Sequence, residues 1–356
     1  MELKKKLSLS PSLNHQITHQ IGLIEKFQGK WEFLKLEKKT FLNELRHIAT
    51  IQSIGSSTRI EGSQLNDTEI EVLIQNLEIN QLETRDEQEA IGYWETLELL
   101  HEHFAEIELS ERYIFQLHAL LLKYSPKDSH QRGQYKNLSN KVVAKYPDGT
   151  QKTIFTTTAP HMVSKEMEEL LLWTNEELEN SNINPLIVIG TFVYEFLSIH
   201  PFHDGNGRLS RLLTTLLLIR HKYYFVQFVS FEHIIEKRKK DYYKALMDCQ
   251  KLRNTSQENI GLWLSFFLDC IIQLSKQLDQ KLTKFSHNKI YLTERQRSIL
   301  DLILKKEQMK ISDISKTISY VSLATLKNDL KHLTHNGILK RNGQGRATTY
   351  SLAENE

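Results

Sequence analysis

The segment from Pro185 to Arg220 constrains this chain more than any other. Pro185–Ile199 is almost wholly apolar, with Glu195 its one charged residue, and a helix that is apolar on all sides has to be buried. Leu209–Arg220 is helix-like again. Between them lies His200-Pro-Phe-His-Asp-Gly-Asn-Gly-Arg-Leu-Ser-Arg211, a tight loop joining two core helices, the second starting at the glycines. Elsewhere Gly and Pro are scarce and apolar residues recur at helical spacing. Examples are Ile17, Ile24, Phe27, Trp31 and Leu34, and then Ile91, Trp94, Leu97 and the Leu99–Leu100 pair. The sequence therefore predicts a mainly α fold. N-caps are expected at Ser110, Ser164 and Ser230, and at Asn184 with Pro185 in the first turn.

The chemistry of the loop reads as a phosphate cradle. A helix N-terminus offers unpaired N–H groups and a partial positive charge. Gly205 and Gly207 let the backbone approach a ligand. Asn206 can donate an amide hydrogen bond, and Arg208 and Arg211, one turn apart, can fork onto one anion. Asp204 is a hard oxygen ligand suited to Mg²⁺ shared with phosphate oxygens. His200, at the end of the buried helix, can take a proton from an attacking hydroxyl. Two alternatives stand beside this reading. Gly-Asn-Gly can be a plain turn, and His200, His203 and Asp204 could start a zinc site, although no further ligands are evident nearby.

The loop resembles the signature of the Fic family, His-x-Phe-x-(Asp/Glu)-Gly-Asn-Gly-Arg-x-x-Arg, at every specified position. The resemblance implies a helical protein that transfers AMP from ATP to a Ser, Thr or Tyr hydroxyl of a protein, itself included, and releases pyrophosphate. It implies His200 as the base, Phe202 as a core anchor and Asp204 as the Mg²⁺ ligand. Gly205 belongs to the phosphate loop, Asn206 and Gly207 line the anion hole, Arg208 takes the β-phosphate and Arg211 the γ-phosphate. Upstream, Ser57-Thr-Arg-Ile-Glu61-Gly62 resembles the family's inhibitory motif, (Ser/Thr)-x-x-x-Glu-(Gly/Asn). There the resemblance implies that Glu61 pairs with Arg211 and blocks the γ-phosphate. The physics agrees: Ser57 and Glu61 share a helix face, Gly62 suits a helix end, and a partly buried Glu–Arg pair is costly to break from one side. The alternative is an ordinary helix end with an exposed Glu.

Leu138–Thr158 breaks the helical pattern. Lys141–Tyr146 and Gln151–Thr156 are β-like runs around Pro147-Asp148-Gly149 and predict a hairpin. It resembles the family's flap, on which a protein substrate docks by strand pairing; a surface hairpin is the alternative. Asp241–Leu246 resembles a family segment near the adenine, which implies Tyr243 against the base and Gln250 bonded to it. Gln250 stands where the family has Asn, one methylene longer, which bears on base selectivity. Core packing is the other role open to these tyrosines.

The C-terminal part reads as a separate unit: helices at Glu294–Lys306, Ile311–Ile318 and Ser322–Asn336, the last with Leu323, Leu326, Leu330 and Leu333 as its buried stripe. A hairpin follows around Asn342-Gly343-Gln344-Gly345. Three helices and a two-stranded wing resemble a winged helix-turn-helix. Residues 289–356 hold twelve Lys/Arg and seven Asp/Glu, so Lys327, Lys331, Lys340, Arg341 and Arg346 could meet DNA phosphates, although winged helices also bind proteins.

The expected fold is thus mainly α: an N-terminal helical region (1–108) with the inhibitory motif, a Fic-type core (109–275) with its flap, a linker (276–288) and a small winged helix (289–356). A formal charge of +2 does not by itself argue for nucleic acid. Cys249 and Cys270 form no metal or disulfide pattern and are expected as buried thiols. Met1–Leu13 has no apolar signal segment, and Pro185–Ile199 is too short to span a bilayer, so the expected place is the cytoplasm, with its ATP, and no membrane partner. The resemblance is compatible with a homodimer, which no residue specifies. Two other activities remain open. One is a hydrolase that removes AMP from proteins with Glu61 orienting water; the other is a DNA-binding regulator with a nucleotide-sensing core.

Overall fold

The computed structural model describes residues 3–34, 39–77, 82–145, 151–288, 292–318, 321–343, 345 and 348–353. They pack as two units: the described residues of Met1–Ile70 with Glu78–Leu278, and those of Glu71–Leu77 with Asp279–Glu356.

The first unit holds α1 (Leu3–Lys6), α2 (Pro11–Leu34), α3 (Lys39–Glu61), the start of α4 (Asp67–Gln75), α5 (Arg85–His103) and α6 (Glu111–Leu121). A hairpin of β1 (Lys141–Lys145) and β2 (Gln151–Thr156) follows, then α7 (Pro160–Asn180), α8 (Pro185–Ile199) and α9 (Asn206–Arg220). The unit closes with α10 (Phe231–Lys237), α11 (Lys239–Gln250) and the larger part of α12 (Gly261–Asn288). The all-round apolar sequence of α8 has the consequence expected of it: every residue from Val188 to Ile199 is buried. Trp263 of α12 donates its indole N–H to the Gly190 carbonyl of α8 at 2.7 Å. Even Glu195 is fully buried, and it is paired on both oxygens, with Lys6 at 2.7 Å and Arg253 at 2.8 Å. A carboxylate inside an apolar helix is tolerated only with such partners.

Caps fall at Ser110, Asn184 and Ser230 as the sequence predicts. Ser164 does not cap. Pro160 is the first residue of α7, and Ala159 before it is extended, so the helix starts earlier and Ser164 lies inside it. The hairpin pairs Lys141 with Thr156 and Val142 with Phe155, then slips by a bulge at Val142/Val143. Its expected Pro147-Asp148-Gly149 turn lies outside the described residues. The two cysteines are buried free thiols. No described helix is long and apolar enough to cross a membrane.

The second unit contains α13 (Glu294–Lys306), β3 (Gln308–Met309), α14 (Ile311–Thr317), α15 (Leu323–His335), β4 (Leu339–Asn342) and β5 (Thr349–Leu352). Ile299, Ile303, Met309, Ile314, Leu326, Leu330 and Leu333 form its core. Its sheet has three antiparallel strands, ordered β3-β5-β4, where the sequence suggests two. The extra strand is two residues long, too short to show alternation. Leu323 is exposed rather than part of the stripe. The segment 276–288 continues α12, and the unit boundary falls within it, after Leu278. Glu71, which the sequence placed with the N-terminal region, pairs within this unit with Arg295 at 2.5 Å. Arg295 also binds Asp329 of α15 at 2.5 Å.

At the start of α5, Thr84 and Glu87 form a reciprocal capping box, which fixes the turn that carries Arg85. Thr84→Ala is expected to cost about 1 kcal/mol, seen as a lower urea midpoint, whereas Thr84→Ser should leave the midpoint in place.

Candidate active site

The α8–α9 loop is closed by its own asparagine. Asn206 accepts from the Phe202 N–H at 2.9 Å and donates to the Phe202 carbonyl at 2.8 Å. Its amide therefore holds the loop, and its contribution to an anion comes through its backbone N–H. Phe202 is fully buried and stacks on His118 of α6 with ring centres 3.8 Å apart. His118 Nδ1 accepts from the Gly133 N–H at 2.9 Å, so its proton sits on Nε2, which donates to the Asp204 carbonyl at 3.0 Å. Burial brings its pKa down to about 4 and keeps it neutral. Lys136, also buried, donates to Asn140, Thr157 and the Ile199 carbonyl at 2.7–3.0 Å, tying the base of the hairpin to the end of α8.

His200 ends α8 in the left-handed region, at φ 53°, its N–H bonded to the Phe196 carbonyl at 2.9 Å. Its Nδ1 lies 3.3 Å from the Leu197 carbonyl, which can only accept, so Nδ1 carries the proton and Nε2 keeps a free lone pair. Burial, helped by the nearby Lys136 charge, pulls its pKa to about 4. The side chain lines a cleft with Asp204, Gly205, Asn206, Gly207 and Arg211. Here stands a neutral, oriented imidazole, the form in which a histidine acts as a base.

The opposite wall gathers positive charge. Gly205 caps α9 at φ 78°, a conformation that suits glycine, and supplies no side-chain cap, so the first-turn N–H groups point into the cleft. Arg208 is buried beneath it. Its Nη2 meets Asp204 at 3.0 Å and its Nη1 lies 2.9 Å from Glu89, yet Nε and Nη1 make no directed hydrogen bond. A buried guanidinium with donors to spare is an anion site in waiting. Burial alone would raise the Asp204 pKa, but Arg208, the Gly205 N–H and Arg85 outweigh it and hold the carboxyl below its ordinary range. Arg85, half-exposed, binds the other Asp204 oxygen at 2.5 Å. Among the described residues no three His, Cys, Asp or Glu side chains converge on a point, so the zinc alternative has no ligand set.

Glu61 plugs this wall. It is the last residue of α3, where Ser63 N–H bonds the Thr58 carbonyl and Gly62 N–H, at φ 117°, bonds that of Arg59, a Schellman stop. The stop projects the Glu61 carboxylate onto α9. Oε1 accepts from Arg211 Nη2 at 2.8 Å and lies 2.2 Å from where a side chain on Gly207 would begin, so only glycine fits beneath it. Ser57, one turn earlier, accepts from Arg211 Nε at 2.8 Å through its hydroxyl and from Nη2 at 2.9 Å through its carbonyl. Arg211 itself is buried. The end of α3 is clamped in turn: Arg59 pairs with Glu236 at 2.7 Å, and Lys239 donates to the Ile60 carbonyl at 2.6 Å.

Nearly all of the residues singled out in the sequence therefore meet in one place. Tyr243 lines the cleft beside Tyr242 and Leu246, and Val142 and Phe155 of the hairpin line it too. Gln250 does not; its amide donates to Ser198 Oγ on α8. Sequence reasoning missed His118, Lys136, Arg85 and Glu89. They are isolated polar residues on ordinary segments, and only folding brings them under the loop.

Residues 108–218 match the model of the Fic/DOC family. The chain carries a domain of that family. It is 26% identical over 236 residues to the protein adenylyltransferase Fic of Drosophila grimshawi, covering 66% of this chain and 44% of that one. It is 35% identical over 66 residues to protein adenylyltransferase fic-1 of Caenorhabditis elegans, covering 18% and 13%. The chain thus spans less than half the length of these curated relatives. A solved Fic family protein from Desulfovibrio desulfuricans G20 superposes with a TM-score of 0.65 at 22% identity, covering 99% of this chain and 98% of that one. Fic-1 from C. elegans superposes with a TM-score of 0.56 at 19% identity, over 78% and 74%. These likenesses show that the chain has a Fic fold.

The electrostatics of His200 can be read by NMR. Its ring should stay neutral, with the proton on Nδ1, at every pH above about 4. Lys136→Met removes the neighbouring positive charge, so the midpoint should move up in pH; an unmoved midpoint would show that Lys136 does not bear on it.

Proposed function

We propose that this Fic protein is a protein adenylyltransferase held in an inhibited state by Glu61. The supporting observation is the pairing of a neutral, oriented His200 with a cradle of helix N–H groups, Arg208 and Arg211, in which a carboxylate already rests. The target hydroxyl oxygen attacks the α-phosphorus of ATP, and the bond to pyrophosphate breaks in line. Nε2 of His200 takes the hydroxyl proton. The N-terminal turn of α9 and Arg208 hold the phosphate oxygens, and Arg211 takes the terminal phosphate once Glu61 has moved. Positioning and charge neutralisation supply most of the rate.

The donor set fits Mg²⁺: one loop carboxylate, Asp204, with substrate oxygens and water for the rest. Asp204 would hold the ion once Arg85, which is half-exposed and also paired with Glu89 at 2.7 Å, releases its oxygen. Bound there, the metal would neutralise charge on the phosphates. Tyr243, on the cleft wall, is placed to meet the adenine, while Gln250 would have to leave Ser198 to reach it. The hairpin presents Val142 and Phe155 to the cleft and is the docking edge for a protein substrate. Cytoplasmic residence suits ATP use, and a homodimer remains part of this proposal from family resemblance alone.

One observation favours a second activity at the same site. Glu61 faces the cleft and its Oε2 makes no hydrogen bond among the described residues, so it could orient water to remove AMP from a modified protein. The helix order and sheet of the second unit support a winged helix, and Lys327, Lys331, Lys340 and Arg341 are exposed on it; Arg346 lies outside the described residues. Salt-sensitive duplex binding would test a DNA role there.

Intact-mass analysis with ATP and Mg²⁺ checks the main proposal. Glu61→Gly should gain AMP units at least about tenfold faster than wild type, since the broken pair is worth a few kcal/mol. Adding His200→Ala should slow that gain by about 10²-fold or more. No AMP gain in Glu61→Gly would contradict the transferase, and release of AMP from a modified protein that fails in Glu61→Gly would establish the hydrolase.

A further inference from the structure

Glu61 is the last residue of α3, and the last turn of a helix is the part most ready to fray. Its grip on Arg211 therefore depends on what holds that turn. Arg59 stands two residues earlier, about 200° round the helix axis, so the two side chains leave α3 on opposite sides. Glu61 reaches α9 and Arg59 reaches α10. The Arg59 fork meets Glu236 with both arms: Nε donates to Oε1 at 2.7 Å and Nη2 to Oε2 at 3.1 Å. Lys239, the first residue of α11, adds a bond from its ammonium to the Ile60 carbonyl at 2.6 Å.

Arg59 also gathers the chain that leaves the helix. Its Nη1 donates to the Leu65 carbonyl at 3.0 Å and lies 2.9 Å from Oδ1 of Asp67, at the start of α4. The helix makes room for this pair. A Cβ on Gly55, one turn before Arg59, would lie 2.5 Å from both Arg59 Nη1 and Asp67 Oδ1. Gly55 is buried inside α3, where glycine is a poor helix former, and the pair resting on it explains its presence. The turn that delivers Glu61 is thus held on its far side by two carboxylates and a carbonyl. None of the residues that supply them lines the cleft.

We infer that Arg59 is a positioning residue for the inhibitory Glu61, and that its fork on Glu236 is the latch that sets how firmly the inhibition is held. While the latch is closed, an incoming phosphate can displace the Glu61 carboxylate only by turning one side chain away from Arg211. Once it is open, the last turn of α3 can unwind and carry Glu61 out of the cleft. Release of the inhibition is then a local unwinding governed from the α10 side, away from the nucleotide. The inference rests on the reading that Glu61 inhibits AMP transfer.

Two readouts on the full chain test it. The first is hydrogen exchange at the Gly62 and Ser63 amides, which bond carbonyls of the last turn. Arg59→Gln and Glu236→Gln should each speed it about three- to tenfold, the scale of a partly exposed charge-assisted hydrogen bond, while the α9 amides stay within about twofold. The second is AMP gain by intact mass with ATP and Mg²⁺. Each substitution should raise the rate about three- to tenfold in the wild type. In Glu61→Gly, where no inhibition is left to release, each should leave it within about twofold. Unchanged exchange in both variants, or exchange raised equally across α9, overturns the latch. So does an AMP gain that is unmoved in the wild type, or changed equally with and without Glu61. If Glu61→Gly itself gains no AMP, the transferase reading falls instead, and the exchange rates alone decide whether the latch holds the helix end.

Discussion

A guanidinium buried at the first turns of a helix governs this site. Arg211 sits where the helix dipole already contributes positive charge, and water is excluded from it. Such a group must face negative charge at all times or cost several kcal/mol. In the structure described, that charge is Glu61, delivered by the end of another helix through the Schellman stop at Gly62 and Ser63. Gly207 leaves just enough room for the carboxylate to lie on the helix. In the proposed reading, this carboxylate rests where a phosphate would otherwise bind.

Around this charged centre the loop is closed by the Asn206 amide and braced by His118, which burial keeps neutral. Lys136 is bound by three neutral oxygens, and burial pulls its pKa down to about 8. The loop backbone is thus pinned at both ends by side-chain hydrogen bonds, and the proposed transfer would need its reactive groups held on such a frame.

The twelve-residue loop, the buried helix before it and the pairing of Glu61 with Arg211 were legible in the sequence because each has a local signature: an apolar run, a dense motif, a helix-end pattern. The caps at Ser110, Asn184 and Ser230 were legible for the same reason. Ser164 misled because Pro160 is the stronger helix-start signal, and β3 was too short to leave a pattern. His118, Lys136, Arg85 and Glu89 could not be found that way. Each is one polar residue on an otherwise ordinary segment, and its meaning arises only when helices distant in sequence meet. Asn206 shows the reverse case: the motif named the residue, but the fold showed that its amide closes the loop.

The claim at the centre of this account is that Glu61 occupies the place of a phosphate. Calorimetric titration of a non-hydrolysable ATP analogue into the wild type and into Glu61→Gln tests it most directly. Gln keeps the shape and removes the charge, so affinity should rise at least about tenfold, while the same change made at exposed Glu102 should leave it unmoved. Equal affinity in the wild type and Glu61→Gln would show that the carboxylate and the phosphate do not compete, and the account of an occupied anion site would be contradicted.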